Sequence, residues 1–205
     1  MMRIVHFAGV PGSGKTSVMI GSGVLSPDVA VISNNDASAE MVRGHTDRAD
    51  VFPFKSPCAR VRQYRYRIEL IEQGELPRLL LTEPPGNCMD VSSPMLNAIY
   101  ATEREKFDIG PLITVIGSVN LLENRASRRS TEGLRTFNMI DESDVVVISK
   151  SDLITDDERD DISTLVSDIN EDATILFTST VTGEGLDALR DIVLGDMHYN
   201  RPLFN

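Results

Sequence analysis

The segment Gly9-Val10-Pro11-Gly12-Ser13-Gly14-Lys15-Thr16 fits G-x-x-x-x-G-K-[ST] with no mismatch, directly after an apolar run at Ile4–Ala8. Gly9, Gly12 and Gly14 let the backbone turn back and aim successive N–H groups at one point. A helix opening at Thr16 adds the partial positive charge of its N-terminus. The product is a cradle for phosphate, in which Lys15 suits the outer phosphates of a nucleotide and the Thr16 hydroxyl suits Mg²⁺. Gly12, Ser13, Gly14, Lys15, Thr16 and Ser17 are therefore the candidate nucleotide contacts. A glycine-rich turn beside a solvated lysine would not explain why strand, loop, Lys-Thr and helix fall in register. A strand feeding such a loop and helix belongs to an α/β architecture.

The remainder of the chain agrees. Short β-branched apolar runs occur at Ile4–Ala8, Val29–Ser33, Leu79–Thr82, Leu112–Gly117, Val145–Ser149 and Thr174–Thr178. Each is bounded by Gly, Pro, Asp or Asn and is short enough for a strand buried on both faces. Helical stretches lie between them at Thr16–Gly21, Ala59–Gln73, Ser93–Lys106, Glu132–Ile140, Asp156–Asn170 and Gly185–Leu194. The alternation predicts a mostly parallel sheet with helices on both faces, in one domain over 1–194. The polar segment Gly195–Asn205 is expected to be a tail docked on the surface.

Composition narrows the partners. With 205 residues, 41% of them hydrophobic, the chain can bury a core, and its net charge of -11 repels nucleic-acid backbones and anionic lipids. No apolar stretch approaches the ~20 residues that span a bilayer. The phosphate motif begins so near the first residue that no signal peptide is expected. Two cysteines make no disulfide framework. The expectation is a cytoplasmic protein that acts neither on a membrane nor on nucleic acid.

Two further segments address the base of the nucleotide. Ser149-Lys150-Ser151-Asp152-Leu153 ends a predicted strand and is similar to the [NT]-K-x-D segment of GTPases. A carboxylate such as Asp152 can accept from guanine N1–H and the 2-amino group together, a donor pair adenine lacks. The Lys150 stem would lie along the ring. Asp152 as a simple helix cap is the competing explanation. One strand later, Thr178-Ser179-Thr180-Val181-Thr182-Gly183-Glu184-Gly185-Leu186 resembles the S-A-K-T-G-E-G-L segment, so Ser179 and Thr180 join the candidates. Neighbouring strand tips at the carboxyl edge are where a nucleotide sits in such sheets.

With these motifs stands Leu79-Leu80-Leu81-Thr82-Glu83-Pro84-Pro85-Gly86, a hydrophobic strand followed by E-x-x-G, and Asn35-Asp36 after the second strand. The ordered set resembles the metallochaperone-type P-loop GTPases of the SIMIBI class, the urease and hydrogenase nickel-insertion and CobW-like proteins. The resemblance implies a P-loop NTPase fold, GTP and Mg²⁺ as ligands, and catalytic roles for Lys15, Asp36, Glu83 and Gly86. In it, Thr16, Asp36 and Glu83 serve the magnesium or its water, and the Gly86 N–H reports the γ-phosphate. Val10 stands where the MinD-type branch has a second lysine, so activation across a dimer by that residue is not expected. No arginine finger is identifiable in the chain, which predicts slow intrinsic hydrolysis.

The resemblance also bears on Cys58 and Cys88. Relatives bind metal through cysteines at comparable places, although this chain lacks the accompanying histidine beside Cys58. Two thiolates cannot complete a metal site alone, whereas a homodimer would supply four for Zn²⁺ or Ni²⁺. The competing reading is a pair of reduced thiols packed as small apolar groups. His45 is a further ligand candidate, and His6 is expected to be a core residue. Arg60, Arg62, Arg65 and Arg67, with Tyr64 and Tyr66 among them, suit a solvated helix face or a partner surface; Arg125, Arg128 and Arg129 have no assignment.

The leading expectation is a GTP-hydrolysing switch that assists delivery of a metal or metal cofactor to a client enzyme. The competitors are an ATP-dependent small-molecule kinase and a GTP-binding interaction module without metal. The first competitor sits poorly with Glu83 and the base-reading segments.

Overall fold

The computed structural model describes residues 1–33, 35–51, 77–83, 96–97, 105–124 and 130–200. Its strands are β1 (Met2–Ala8), β2 (Val29–Ser33), β3 (Ala49–Val51), β4 (Leu79–Thr82), β5 (Phe107–Gly117), β6 (Val145–Ser149) and β7 (Thr174–Thr178). They form one seven-stranded sheet in the order β3-β2-β4-β1-β5-β6-β7. Every pairing is parallel. The described helices are α1 (Lys15–Gly21), α2 (Asp36–Arg43), α3 (Ser118–Asn124), α4 (Thr131–Asp141), α5 (Asp156–Ile169) and α6 (Leu186–Leu194).

The β-branched runs are strands because helices cover both sides of them. In β6, Val145 and Val147 pack with Val18 and Met19 of α1 and Leu189 of α6. The alternate residues Val146 and Ile148 pack with Leu121 of α3, Ile140 of α4, and Ile162 and Val166 of α5. With period-two alternation and an apolar layer on each side, both sets of side chains must be apolar.

Several elements escape the sequence patterns. Strand β3 is three half-buried residues, Ala-Asp-Val, and has no apolar run to announce it. Helix α2 buries only Ala39 and Val42 and is set by its cap, the Asn35 side chain accepting from the Ser38 N–H at 2.9 Å. Helix α3 follows β5 directly, Ser118 after Gly117, with no loop between them. Strand β5 begins five residues before the apolar run Leu112–Gly117, because Gly110-Pro111 reads as a turn. The pair instead forms a bulge: Ile4 faces Ile109 whereas His6 faces Leu112, so β5 carries one extra residue. A proline, having no N–H for the ladder, is at home there. Glu105 and Lys106 form a turn rather than the expected helix end. The rest of that expected helix, apart from residues 96–97, and all of Ala59–Gln73 lie outside the described residues.

At the amino edge of the sheet the chain end is tied to β1 and β5. Arg3 donates to the carbonyls of Val193 (2.9 Å) and Met197 (2.6 Å) and to Asp108 (2.7 Å). The Tyr199 N–H reaches the Ile109 carbonyl at 3.0 Å, and the ring is buried. No described helix is long and apolar enough to cross a membrane.

His6 is a core residue. Its Nδ1 lies 2.7 Å from the Thr82 hydroxyl, and burial pushes its pKa from 6.5 down to about 3, against a smaller opposing effect of a hydrogen bond to the Val5 backbone. The ring stays neutral in the fold but takes up a proton on unfolding below about pH 6.5. Stability from this residue is thus complete above that pH and drains as pH falls toward 3. Between pH 7 and pH 5, denaturant titration should show wild type losing about 2 kcal/mol more stability than His6→Asn. Equal losses would mean that the folded chain protonates this ring.

The topology sets the position of the site. From β1 the chain first turns to β2 on one side of the sheet, and only after β4 does it cross to β5 on the other. Such a reversal leaves a crevice at the carboxyl ends of the central strands. Because all pairings are parallel, the ends of β1, β4, β6 and β7 gather along that one edge.

Candidate nucleotide-binding site

The loop after β1 turns on left-handed glycines, with φ 140° at Gly9, 78° at Gly12 and 87° at Gly14. A Cβ on Gly9 would stand 2.2 Å from the Val115 carbonyl oxygen, so the loop rests directly on β5. Lys15 folds back into the loop and donates from Nζ to the carbonyls of Gly9 (2.9 Å) and Val10 (3.1 Å). Its burial lowers the ammonium pKa, and the Glu83 carboxylate works in the opposite direction. The buried cation is held by two carbonyl dipoles of the loop.

Glu83 follows β4 and is fully buried. Its Oε1 lies 2.6 Å from the Thr16 hydroxyl, and the Ser38 hydroxyl lies 3.2 Å from the same Thr16 oxygen. An ionised carboxylate only accepts, so the Thr16 proton points at Glu83 and the Ser38 proton at Thr16. One lone pair of the Thr16 oxygen then remains for a cation. Ser17 is half-buried in α1, and Asp36 is exposed at the head of α2. The cap on Asn35 is what brings this turn of α2, with Ser38, up to the loop.

On the other flank, β6 is stitched to the loop. Ser149 Oγ donates to the Ser13 carbonyl at 2.6 Å, and Lys150 Nζ donates to the Gly12 carbonyl at 3.2 Å. Lys150 is the one described non-glycine residue with positive φ, 59°. Its carbonyl is fixed by the Ser118 hydroxyl at 2.8 Å. Asp152, exposed on the next turn, accepts from Ser179 Oγ at 2.5 Å. The Ser179 oxygen in turn accepts from the N–H groups of Val181 (3.1 Å) and Thr182 (3.2 Å). Thr180 is exposed beside it. The loop closes at Gly185, with φ 67° and a position where a Cβ would meet the Phe177 carbonyl oxygen at 2.1 Å.

Lys15, Thr16 and Glu83 are thus in one cluster, and Lys150, Asp152, Ser179 and Thr180 line the adjoining strand tips. Ser38, Ser118 and Arg159 also belong to this network and were not candidates from the sequence. Each is a common residue type on a helix whose neighbours are set only by folding. Gly86, Cys58, Cys88 and both arginine clusters lie outside the described residues. Among the described residues no group of three or more His, Cys, Asp or Glu could hold a metal ion.

A parallel sheet with this glycine loop at its switch point, a buried lysine and a Thr–Glu pair defines a P-loop NTPase. Over residues 3–177 the chain matches the CobW/HypB/UreG nucleotide-binding domain, and it belongs to that family. It is a GTPase of this group, whose members assist metal insertion. HypB from Helicobacter pylori in complex with nickel is similar in fold, with a TM-score of 0.66 at 14% identity over 94% of this chain and 86% of that one. HypB from Archaeoglobus fulgidus, a hydrogenase maturation factor, gives 0.63 at 17% identity over 93% and 87%. Zn(II)-bound YjiA GTPase from E. coli gives 0.58 at 14% identity over 100% and 67%. No curated protein matches the sequence.

Proposed function

We propose that this GTPase works as a nucleotide-gated homodimer that carries Zn²⁺ or Ni²⁺ to a client metalloenzyme in the cytoplasm. The observation that carries this reading is Glu83, buried against Thr16 at the mouth of the phosphate loop. Cys88 lies only five residues further along the chain, a reach of about 18 Å at most. A change at the γ-phosphate is thereby within direct chain reach of a thiol. The nickel of the Helicobacter pylori HypB complex and the zinc of YjiA support a metal of this class. Cys58 and Cys88 from two subunits would supply four thiolates, suited to a soft or borderline ion.

In the hydrolysis step, water attacks the γ-phosphorus and the bond to the β–γ bridging oxygen breaks, giving GDP and phosphate. Lys15 neutralises charge on the outer phosphates. Glu83 orients the water, with Asp36 approaching from α2 and the Gly86 N–H reporting the γ-phosphate. The donor set fits Mg²⁺, since Thr16 offers a hydroxyl lone pair beside the Glu83 carboxylate, both hard oxygens. Magnesium supplies charge neutralisation between the phosphates when bound.

The test is equilibrium dialysis of Zn²⁺ and Ni²⁺ at matched loading with a non-hydrolysable GTP analogue and with GDP, with sedimentation of the same samples. The expected result is one metal per two subunits in the analogue state alone, weaker at low pH as the thiols protonate, and lost in Cys88→Ser. Metal binding that ignores the nucleotide and survives both Cys58→Ser and Cys88→Ser would overturn the reading.

A further inference from the structure

We infer that Arg159, on α5 outside the nucleotide crevice, is a positioning residue for guanine recognition, acting through Glu184. The inference rests on Asp152 reading the base.

The two segments expected to face the base come from different strands. One is the turn at Ser151–Leu153 after β6, the other the loop 179–185 after β7. Glu184 bridges them. Its Oε2 accepts from the Ser151 hydroxyl at 2.6 Å, while the neighbouring backbone carries the loop, the Glu184 carbonyl accepting from Ser179 N at 3.0 Å. Arg159 grips that carboxylate with two prongs, Nη1 to Oε1 at 2.5 Å and Nη2 to Oε2 at 2.9 Å. The same Nη2 also donates to the Ser151 carbonyl at 3.1 Å. The guanidinium lies over the Phe177 ring, 5.2 Å from its centroid, which fixes its plane at the end of β7. Hydrogen bonds from Arg159 and then Ser151, against a smaller desolvation, lower the Glu184 carboxyl to about 2, so the clamp persists across the physiological range.

The geometry has a direct consequence for Asp152. Its carboxylate is held by Ser179, and Ser179 moves with the loop that Glu184 anchors. A two-pronged arginine–carboxylate contact restrains rotation as well as distance, which a single charge pair does not. Loss of the clamp should therefore let Asp152 and the 179–185 loop drift apart while the phosphate loop, tied separately through Ser149 and Lys150, stays in place.

The experiment measures affinities for GTP and ITP by calorimetry in wild type, Arg159→Ala, Asp152→Asn and the double variant. ITP lacks the 2-amino group but keeps the phosphates. Arg159→Ala is expected to lower the GTP-over-ITP preference about fivefold, the size of one partly exposed charge-assisted contact, with ITP, which keeps the N1–H but lacks the 2-amino donor, weakened less than GTP. Arg159→Lys should recover only part of the preference. In the Asp152→Asn background, Arg159→Ala should change nothing further. Equal weakening of GTP and ITP, or an unchanged ratio, would overturn the inference and leave Arg159 as a stability contact. If Arg159→Ala does not fold, Glu184→Gln is read by the same ratio. Should Asp152→Asn itself keep the wild-type ratio, the base-reading role of Asp152 has failed and the inference falls with it.

Discussion

In Glu83→Ala, GTP hydrolysis is expected to fall on the order of 100-fold or more, while GTP affinity stays within about threefold of wild type. The asymmetry follows from position. Glu83 does not belong to the phosphate loop; it follows β4 and faces Thr16 from the far side, at 2.6 Å. Removing it leaves the glycine loop and the Lys15 ammonium, the proposed phosphate contacts, in place. What disappears is the carboxylate that would hold water and magnesium where charge develops. Lys15→Ala should behave in the opposite way, losing nucleotide affinity on the order of 100-fold, since the buried cation has no substitute. Single-turnover hydrolysis beside equilibrium binding distinguishes the two. A Glu83→Ala chain that hydrolyses GTP at the wild-type rate would reduce this carboxylate to a structural partner of Thr16.

Asp152→Asn should weaken GTP binding by about 100-fold and strengthen binding of XTP. As the proposed base reader, the carboxylate would accept from both N1–H and the 2-amino group, two charge-assisted bonds of roughly 1.5–3 kcal/mol each. An asparagine amide keeps one acceptor and presents a donor in place of the other. Xanthine carries a carbonyl where guanine has the amino group, so it restores the match. The Ser179 hydroxyl, 2.5 Å from Oδ1, can donate equally to the amide oxygen, and the loop should therefore hold its shape. Calorimetric titration with GTP, XTP and ATP reads the outcome. ATP bound by wild type as tightly as GTP would remove guanine recognition from this site.

Much of this molecule was readable along the chain, because the features concerned are local. A glycine loop between strand and helix carries its own φ requirements: Gly9, Gly12 and Gly14 all stand at positive φ, which favours glycine whatever the sheet order. Strands buried on both faces announce themselves as unbroken β-branched runs, as Val145–Ser149 does, whatever their neighbours in the sheet. The family resemblance drew on the same kind of information, short motifs in fixed order.

What needed the folded chain is whatever depends on a partner distant in sequence. Gly110-Pro111 has the composition of a turn, and only pairing with β1 makes it a bulge inside a strand eleven residues long. Asp36 drew attention as a carboxylate, yet the α2 residue that meets Thr16 is Ser38, because the Asn35 cap sets the entry of the helix. Glu184 in Thr-Gly-Glu-Gly could as well have been a solvated turn residue. Its significance comes from Arg159, 25 residues earlier on helix α5. Periodicity and propensity report the environment of a residue one turn or one strand away; a clamp across two loops is fixed by where the sheet order places β6 beside β7.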